Sequence, residues 1–242
     1  MRLDFLPGKK RTIYQRPDFF TYSMDSILLG RFVTLRGGKR LLDLCAGTGA
    51  VPLALSVRTT ALIDAVELQE PLCRLMEASV SENGLEEQIH VHEADLRTMH
   101  PQDWGVYDVV TCNPPYFPVT AEKGVNETEA RTLARHEVAC TLEDVVKTAA
   151  RMVRSRGRAA FIHRPERLTE LMQACEANGL QPKRLQFVHP SAAKEANMVL
   201  LEAVKDGGSG MTVECPLLVY GEDGAYEPSF KERYFEGEDP YA

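Results

Sequence analysis

Leu41-Leu42-Asp43-Leu44-Cys45-Ala46-Gly47-Thr48-Gly49-Ala50 is an apolar run that stops in a glycine turn, and a second apolar segment, Val51 to Val57, follows it. The first part reads as a buried strand and the second as a helix. Gly47 and Gly49 let the backbone approach a ligand closely. Strand, glycine loop and helix in this order form the opening unit of an open α/β sheet, where ligands bind beyond the carboxyl ends of the strands. Asp43 stands at the end of the strand. It is placed to hold the loop or to accept from an ammonium group.

Working outward, a second strand, Ala61 to Val66, ends on Glu67, twenty positions after Gly47. An acid at that distance is placed to accept both ribose hydroxyls of an adenosine-containing cofactor. A third strand, Ile89 to His92, leads to Asp95, which is expected to accept from the exocyclic amine of the cofactor's adenine, or else to cap the next helical turn. The loop lacks the third glycine of a dinucleotide fingerprint, which disfavours a nicotinamide cofactor. A fourth strand, Tyr107 to Cys112, ends on Asn113-Pro114-Pro115-Tyr116. The prolines fix φ and cannot donate, so this segment is a rigid ledge. The Asn113 side chain and the Pro114 carbonyl are two acceptors, and Tyr116 offers a flat face for stacking. Such a ledge suits a planar group bearing NH₂, either adenine or a glutamine amide.

The ordered set Asp43, Gly47, Gly49, Glu67, Asp95 and Asn113-Pro114-Pro115-Tyr116 resembles a class I S-adenosylmethionine-dependent methyltransferase over about residues 40 to 205. The resemblance implies an α/β, Rossmann-like fold: a seven-stranded, mostly parallel sheet with helices on both faces. It implies S-adenosylmethionine as cofactor, held by Asp43, Cys45, Ala46, Gly47, Gly49, Glu67, Leu68, Asp95, Leu96 and Asn113. Asn113, Pro114 and Tyr116 would carry the catalysis. Phe20-Thr21-Tyr22-Ser23-Met24-Asp25-Ser26-Ile27-Leu28-Leu29-Gly30-Arg31-Phe32, then Lys123, Asn126 and Ala134-Arg135-His136-Glu137, then Pro182-Lys183-Arg184 and Pro216 to Tyr220, extend the likeness. Together they resemble the bacterial family that methylates the exocyclic amine of adenine beside the anticodon of a valine tRNA. This implies substrate contacts from Tyr116, Lys123, Asn126, Arg135 and His136. The nearest rival methylates a glutamine in release factors and shares the ledge. It usually brings a separate helical domain, whereas here only about forty, basic, residues precede the first strand. A non-catalytic RNA-binding module is a further rival, which the intact ledge and acids argue against.

Bulk properties set the outer limits. The chain has 242 residues, 44% hydrophobic and 26% charged, enough for one sizeable core. Met1 to Gly8 lack the apolar stretch of a signal peptide, and no run approaches a membrane span. The cysteines at 45, 73, 112, 140, 175 and 215 form no C-x-x-C pair, so no metal site is expected, and Cys45 and Cys112 read as small reduced residues near the cofactor. His90 and His92 alternate along a strand and are not expected to hold a metal. A cytoplasmic monomer is expected, with tRNA as partner. The net charge of −7 hides an uneven distribution. Residues 1–40 hold nine Lys/Arg against three Asp, residues 151–184 hold eight against three acids, and residues 202–242 hold three against ten. Basic segments supply phosphate contacts, so Lys9, Lys10 and Arg11 are expected to face RNA.

The organisation predicted is an N-terminal extension with a helix (1–39), the cofactor domain (40–205), and a hairpin with an acidic tail (206–242) packed on it. Helices are expected at about 24–35, 49–58, 70–83, 140–154 and 165–178. Further strands are expected at 158–163, 184–189 and 197–204. Asp25 suits the first-turn dipole of its helix. The polar stretch 117–135 reads as a substrate lid.

Overall fold

The computed structural model describes residues 1–8, 10–16, 21–35, 37–115 and 140–235. A parallel run forms its centre: β3 (Arg40–Leu44), β4 (Leu62–Glu67), β5 (Ile89–Glu93), β6 (Tyr107–Cys112) and β7 (Val153–His163). β8 (Leu180–His189) and β9 (Met198–Lys205) complete the seven long strands, and β9 runs antiparallel to both β7 and β8. The order along these seven is β8-β9-β7-β6-β3-β4-β5. The chain therefore steps one way from β3 to β5 and the other way from β6 onward. The crevice at that reversal, outside the ends of β3 and β6, is where an open α/β sheet binds ligands. Leu44 lies opposite Cys112 there, so the glycine loop and the ledge leave the sheet side by side.

Alternation along each strand feeds two cores. Leu41 of β3 and Ile63 of β4 face one, packed by α1 (Met24–Phe32), α2 (Ala50–Ser56) and α3 (Glu70–Glu82). Leu42 and Leu44 face the other, under α5 (Leu142–Met152) and α6 (Leu168–Ala177). A short α4 (Pro101–Trp104) precedes β6. α5 starts on a capping box in which Thr141 and Asp144 satisfy each other's backbone N–H. α3 and α6 stop at Asn83-Gly84 and Asn178-Gly179, with left-handed glycines at φ 62° and 72°.

Several boundaries differ from the sequence expectation, each for a local reason. α1 ends at Phe32 rather than residue 35. Thr34 is captured by the buried Glu202 carboxylate, which accepts from its N–H at 2.7 Å and its hydroxyl at 3.1 Å. β7 begins at Val153, five residues before the predicted start. An irregularity opposite Tyr107–Val109 and a left-handed Arg156 (φ 63°) let the strand continue through charged residues. The N-terminal extension opens with an antiparallel ribbon, β1 (Arg2–Phe5) with β2 (Thr12–Gln15).

The tail departs most. β10 (Thr212–Val213) and β11 (Leu217–Leu218) are two short strands that the sequence did not announce. Both add in parallel to β8, taking the sheet to nine strands. The expected hairpin lies further on: Tyr220 and Tyr226 make an antiparallel bridge around a left-handed Gly224, and Glu227 N–H donates to the Val219 carbonyl at 3.0 Å. A helix that the sequence reading did not foresee, α7 (Pro228–Tyr234), then buries Phe230 against α1.

No helix among the described residues is long and apolar enough to cross a membrane. No group of three His, Cys, Asp or Glu side chains among them is placed to hold a metal ion. His90 and His92 both turn on Asp64, at 3.5 and 2.8 Å, and Tyr107 and Arg40 also donate to it. These partners, His92 foremost, outweigh burial and hold the Asp64 carboxyl down at about 2.

Candidate active site

The loop after β3 makes three left-handed turns at alternate residues: Cys45 (φ 56°), Gly47 (φ 56°) and Gly49 (φ 91°). At Gly49 a Cβ would stand 2.8 Å from Met76 Cγ, so glycine is required there on both counts. Around Gly47 a Cβ would meet nothing within 4 Å, so the loop has open space beside it. Ala46 N–H donates to the Val66 carbonyl at 3.0 Å, and Gly47 N–H donates to Glu67 Oε2 at 3.0 Å. Glu67 Oε1 accepts from Gln69 N–H at 3.0 Å. Glu67 thus ties the glycine loop to the end of β4, a role that the ribose expectation did not include. Its Oε1 also accepts from Gln69 Nε2 at 3.4 Å, so the remaining capacity lies on Oε2.

Asp43 is 1% exposed. Its Oδ1 accepts from the Thr111 hydroxyl of β6 at 2.6 Å, and its Oδ2 has no hydrogen-bond partner among the described residues. Burial pushes this carboxyl up to about 8, with the Glu67 charge adding to it and the Thr111 bond opposing. Beside it, a cavity of about 250 Å³ opens between the ends of β3, β4 and β5 and the ledge. Cys45, Glu67, Leu68, Asp95, Leu96 and Pro115 line it. Of the predicted cofactor residues, Cys45, Glu67, Leu68, Asp95 and Leu96 line this cavity, whereas Asp43, Ala46, Gly47, Gly49 and Asn113 are not among its lining residues.

Asp95 takes the capping role that the sequence allowed for it. It caps a 3₁₀ turn, Leu96–Thr98, by accepting from Arg97 N–H at 2.9 Å, and its carboxylate is gripped by the Arg97 guanidinium at 2.6 and 3.0 Å. The cap reading holds, and Asp95 enters the cavity as one half of an ion pair. Cys45, Cys112 and Cys140 converge under the loop as free thiols. The contact with Cys112 holds Cys45 well above the usual thiol range, and burial raises Cys112, so both are neutral.

On the ledge, Pro114 is buried and Asn113 half-buried. Asn113 Nδ2 donates to the Ser26 hydroxyl of α1 at 3.0 Å. Ser26 N–H in turn donates to Asp25 Oδ1 at 2.9 Å, and the Ser23 hydroxyl donates to the same oxygen. The sequence reading had Asp25 in the first turn but missed Ser26. Its only signal was a cluster of hydroxyl and carboxylate residues at 23–26.

The basic N-terminal residues divide. Lys10 is exposed. Arg11, expected to face RNA, instead donates to the Ser56 hydroxyl at 2.9 Å and fastens the ribbon to the end of α2. Lys9, Tyr116, Lys123, Asn126, Arg135, His136 and the predicted lid lie outside the described residues.

Comparison with known proteins agrees with this geometry. A family model described as conserved hypothetical protein 95 matches residues 23–158, more than half of the chain. The tRNA1(Val) (adenine(37)-N6)-methyltransferase of Tolumonas auensis is 32% identical, over 85% of this chain and 84% of its own length. The Parabacteroides distasonis protein of the same name is 26% identical, over 89% and 92%. Among solved structures, a predicted O-methyltransferase of Agrobacterium tumefaciens matches 88% of this chain and 96% of its own (TM-score 0.69, 22% identity). TrmN from Thermus thermophilus matches 74% and 48% (TM-score 0.53, 20% identity). The structural likenesses bear on the fold. With the glycine loop, the acid at the end of β4 and the Asn-Pro-Pro ledge in place, the sequence matches show that this chain belongs to the tRNA1(Val) (adenine(37)-N6)-methyltransferase family.

Proposed function

We infer that this chain is an S-adenosylmethionine-dependent methyltransferase acting on the exocyclic N6 of an adenine in tRNA, and that the acceptor is the adenine beside the anticodon of a valine tRNA. The observation that carries this reading is the Asn113 amide, pinned through its Nδ2 to Ser26 on a ledge whose Pro115 lines the cavity. The cavity fits the cofactor chemically. Asp43 Oδ2 is a buried acceptor awaiting a donor, such as an ammonium group. Glu67 Oε2 keeps a lone pair for a ribose hydroxyl, and Gly47 leaves open space at the loop. When bound, S-adenosylmethionine supplies an electrophilic methyl group on its sulfonium.

The chain's own residues bind and orient. Adenine N6 is a poor nucleophile because its lone pair is delocalised into the ring. Two acceptors on its hydrogens favour a pyramidal nitrogen with a localised lone pair. With Nδ2 committed to Ser26, the Asn113 Oδ1 is turned away from that bond and serves as one acceptor, and the Pro114 carbonyl is the other. Tyr116 takes the stacking role that the resemblance implies, on a base turned out of an unpaired loop. The neutral thiols nearby do not compete as nucleophiles.

The test is methyl transfer from labelled cofactor to undermodified tRNA and, in parallel, to total protein. Label recovered as N6-methyladenosine is expected. Label in protein alone would make the glutamine acceptor the correct reading. Ser26 gives a second test. Ser26→Ala is expected to lower kcat by about 10–100-fold, the scale of a small misplacement at a reacting centre. Cofactor affinity should stay the same, and Ser26→Thr should restore turnover. Unchanged kcat in Ser26→Ala would separate α1 from the ledge's function.

A further inference from the structure

We propose that the open depression beside the β1–β2 ribbon is a second RNA subsite, which takes an unpaired nucleotide neighbouring the target adenine. This rests on the tRNA reading above and extends it to a surface that none of the cofactor or ledge residues occupy.

The depression, about 480 Å³, is lined by Phe5, Tyr22 and Tyr234, with Arg2, Asp4, Gln15 and Ser23 between them. Phe5 is 65% exposed, so its ring contributes little to any core. The other two rings are held in place. Tyr22 hydroxyl donates to the Phe5 carbonyl at 3.3 Å. Tyr234 ends a stack that runs through Tyr220, Tyr226 and Phe230 with centroids 5.0–5.2 Å apart. Gln15 is committed on both sides, donating to Asp4 at 2.6 Å and accepting from Tyr22 N–H at 2.9 Å. Tyr234 is itself buried and forms the floor, so recognition here falls to the faces of Phe5 and the half-buried Tyr22, which accept any base.

Charge points to RNA. Residues 1–16 carry five Lys/Arg against one Asp in a chain of net charge −7. Arg2, paired with Asp4 at 2.7 Å, keeps a side chain 65% exposed at the rim, where it can meet a phosphate. Position points to the same strand of RNA. Ser23 lines the depression, and Ser26, about 4.5 Å further along α1, holds Asn113. The subsite and the ledge are thus neighbours on one surface.

The test uses the full chain. Phe5→Ala, Phe5→Trp and wild type are compared for methylation of undermodified tRNA, for tRNA binding, for cofactor affinity and for molecular mass by light scattering. Phe5→Ala is expected to raise the tRNA KM about tenfold, the scale of a lost base stack, with kcat and cofactor affinity unchanged. Phe5→Trp, which keeps a ring, should stay within about twofold of wild type. An unaltered tRNA KM in Phe5→Ala would overturn the subsite. So would an equal loss of cofactor affinity, or a change of oligomeric state that marks the patch as an interface between copies. If wild type itself neither binds nor methylates tRNA, the functional reading fails and the subsite fails with it. Wild-type methylation with an indifferent Phe5→Ala removes the subsite alone.

Discussion

Asn113→Ala is expected to lower kcat by roughly 10²–10³-fold, the cost of deleting one preorganised polar group aimed at a reacting atom. Cofactor affinity should change only a few-fold, because Asp43, Glu67 and the glycine loop stay in place. The amide does two jobs that no other residue on the ledge can share. Its Nδ2 is spent on Ser26 at 3.0 Å, which leaves its Oδ1 as the oriented acceptor. Alanine removes both, and the Ser26 hydroxyl cannot reach into the vacated place without moving α1. Asn113→Asp tests the same point differently. It keeps the acceptor but loses the donor to Ser26, so a turnover between those of wild type and alanine is expected. Single-turnover rates at saturating cofactor and tRNA measure the effect. Wild-type rates in Asn113→Ala would take the ledge out of the mechanism.

The second large effect belongs to Asp43 and is a matter of protons. With its carboxyl pushed up to about 8 by burial, the group is neutral at pH 7 in the free protein. An ammonium group offered to Oδ2 favours the ionised form, so cofactor binding expels a proton. Affinity for S-adenosylmethionine should therefore improve by up to about tenfold per pH unit from pH 6 and level off near pH 8. Calorimetry in buffers of different ionisation heat should count close to one proton released at pH 6.5. Asp43→Asn should flatten this dependence and weaken binding about 10–100-fold at pH 8, the loss of a charged hydrogen bond.

Folding gives an independent reading of the same group. The folded pKa lies above the unfolded value. Between about pH 4 and pH 8 the folded chain therefore keeps a proton that the unfolded chain has released. Stability of the free protein should fall as pH rises through that window, by at most about 1.4 kcal/mol per unit, and Asp43→Asn should remove this part of the slope. No proton release on binding, together with a pH-independent affinity, would mean that Asp43 is ionised before the cofactor arrives.

These residues also show which parts of the molecule are legible in a sequence. The strand ends at Leu44, Glu67 and Cys112 were readable because a buried parallel strand is a short apolar run, and the polar residue that halts it marks the site edge. Asp43 and Glu67 stood at such ends on neighbouring strands, and Glu67 lines the cavity while Asp43 is buried beneath the loop. Glu67's grip on Gly47 N–H was not readable, since a carboxylate twenty residues away from a loop can accept from ligand or backbone alike. Asp95 had two readings, and the cap on Arg97 N–H, two positions on, is the one visible in the fold. Ser26 was missed because its partner is 87 positions away and neither residue is apolar, so no periodicity joins them. The α7 helix was missed for a related reason. It is seven residues long, and it is stabilised by Phe230 against α1 rather than by its own propensity.

The two short strands of the tail have a consequence for the chain's solubility. β8 is ten residues long and would otherwise end the sheet with a bare row of hydrogen-bonding groups, open to the β8 of another molecule. β10 and β11 cover it in two places, and Glu214 secures the strip by pairing with Arg184 of β8 at 2.8 Å. What then faces water are strands of two residues each, too short to template a partner, followed by a segment rich in negative charge. At the opposite border, β5 presents His90, His92 and Glu93, which discourage pairing by charge and polarity instead. The acidic tail thus acts as a selvedge, a finished border that keeps one sheet from continuing into the next.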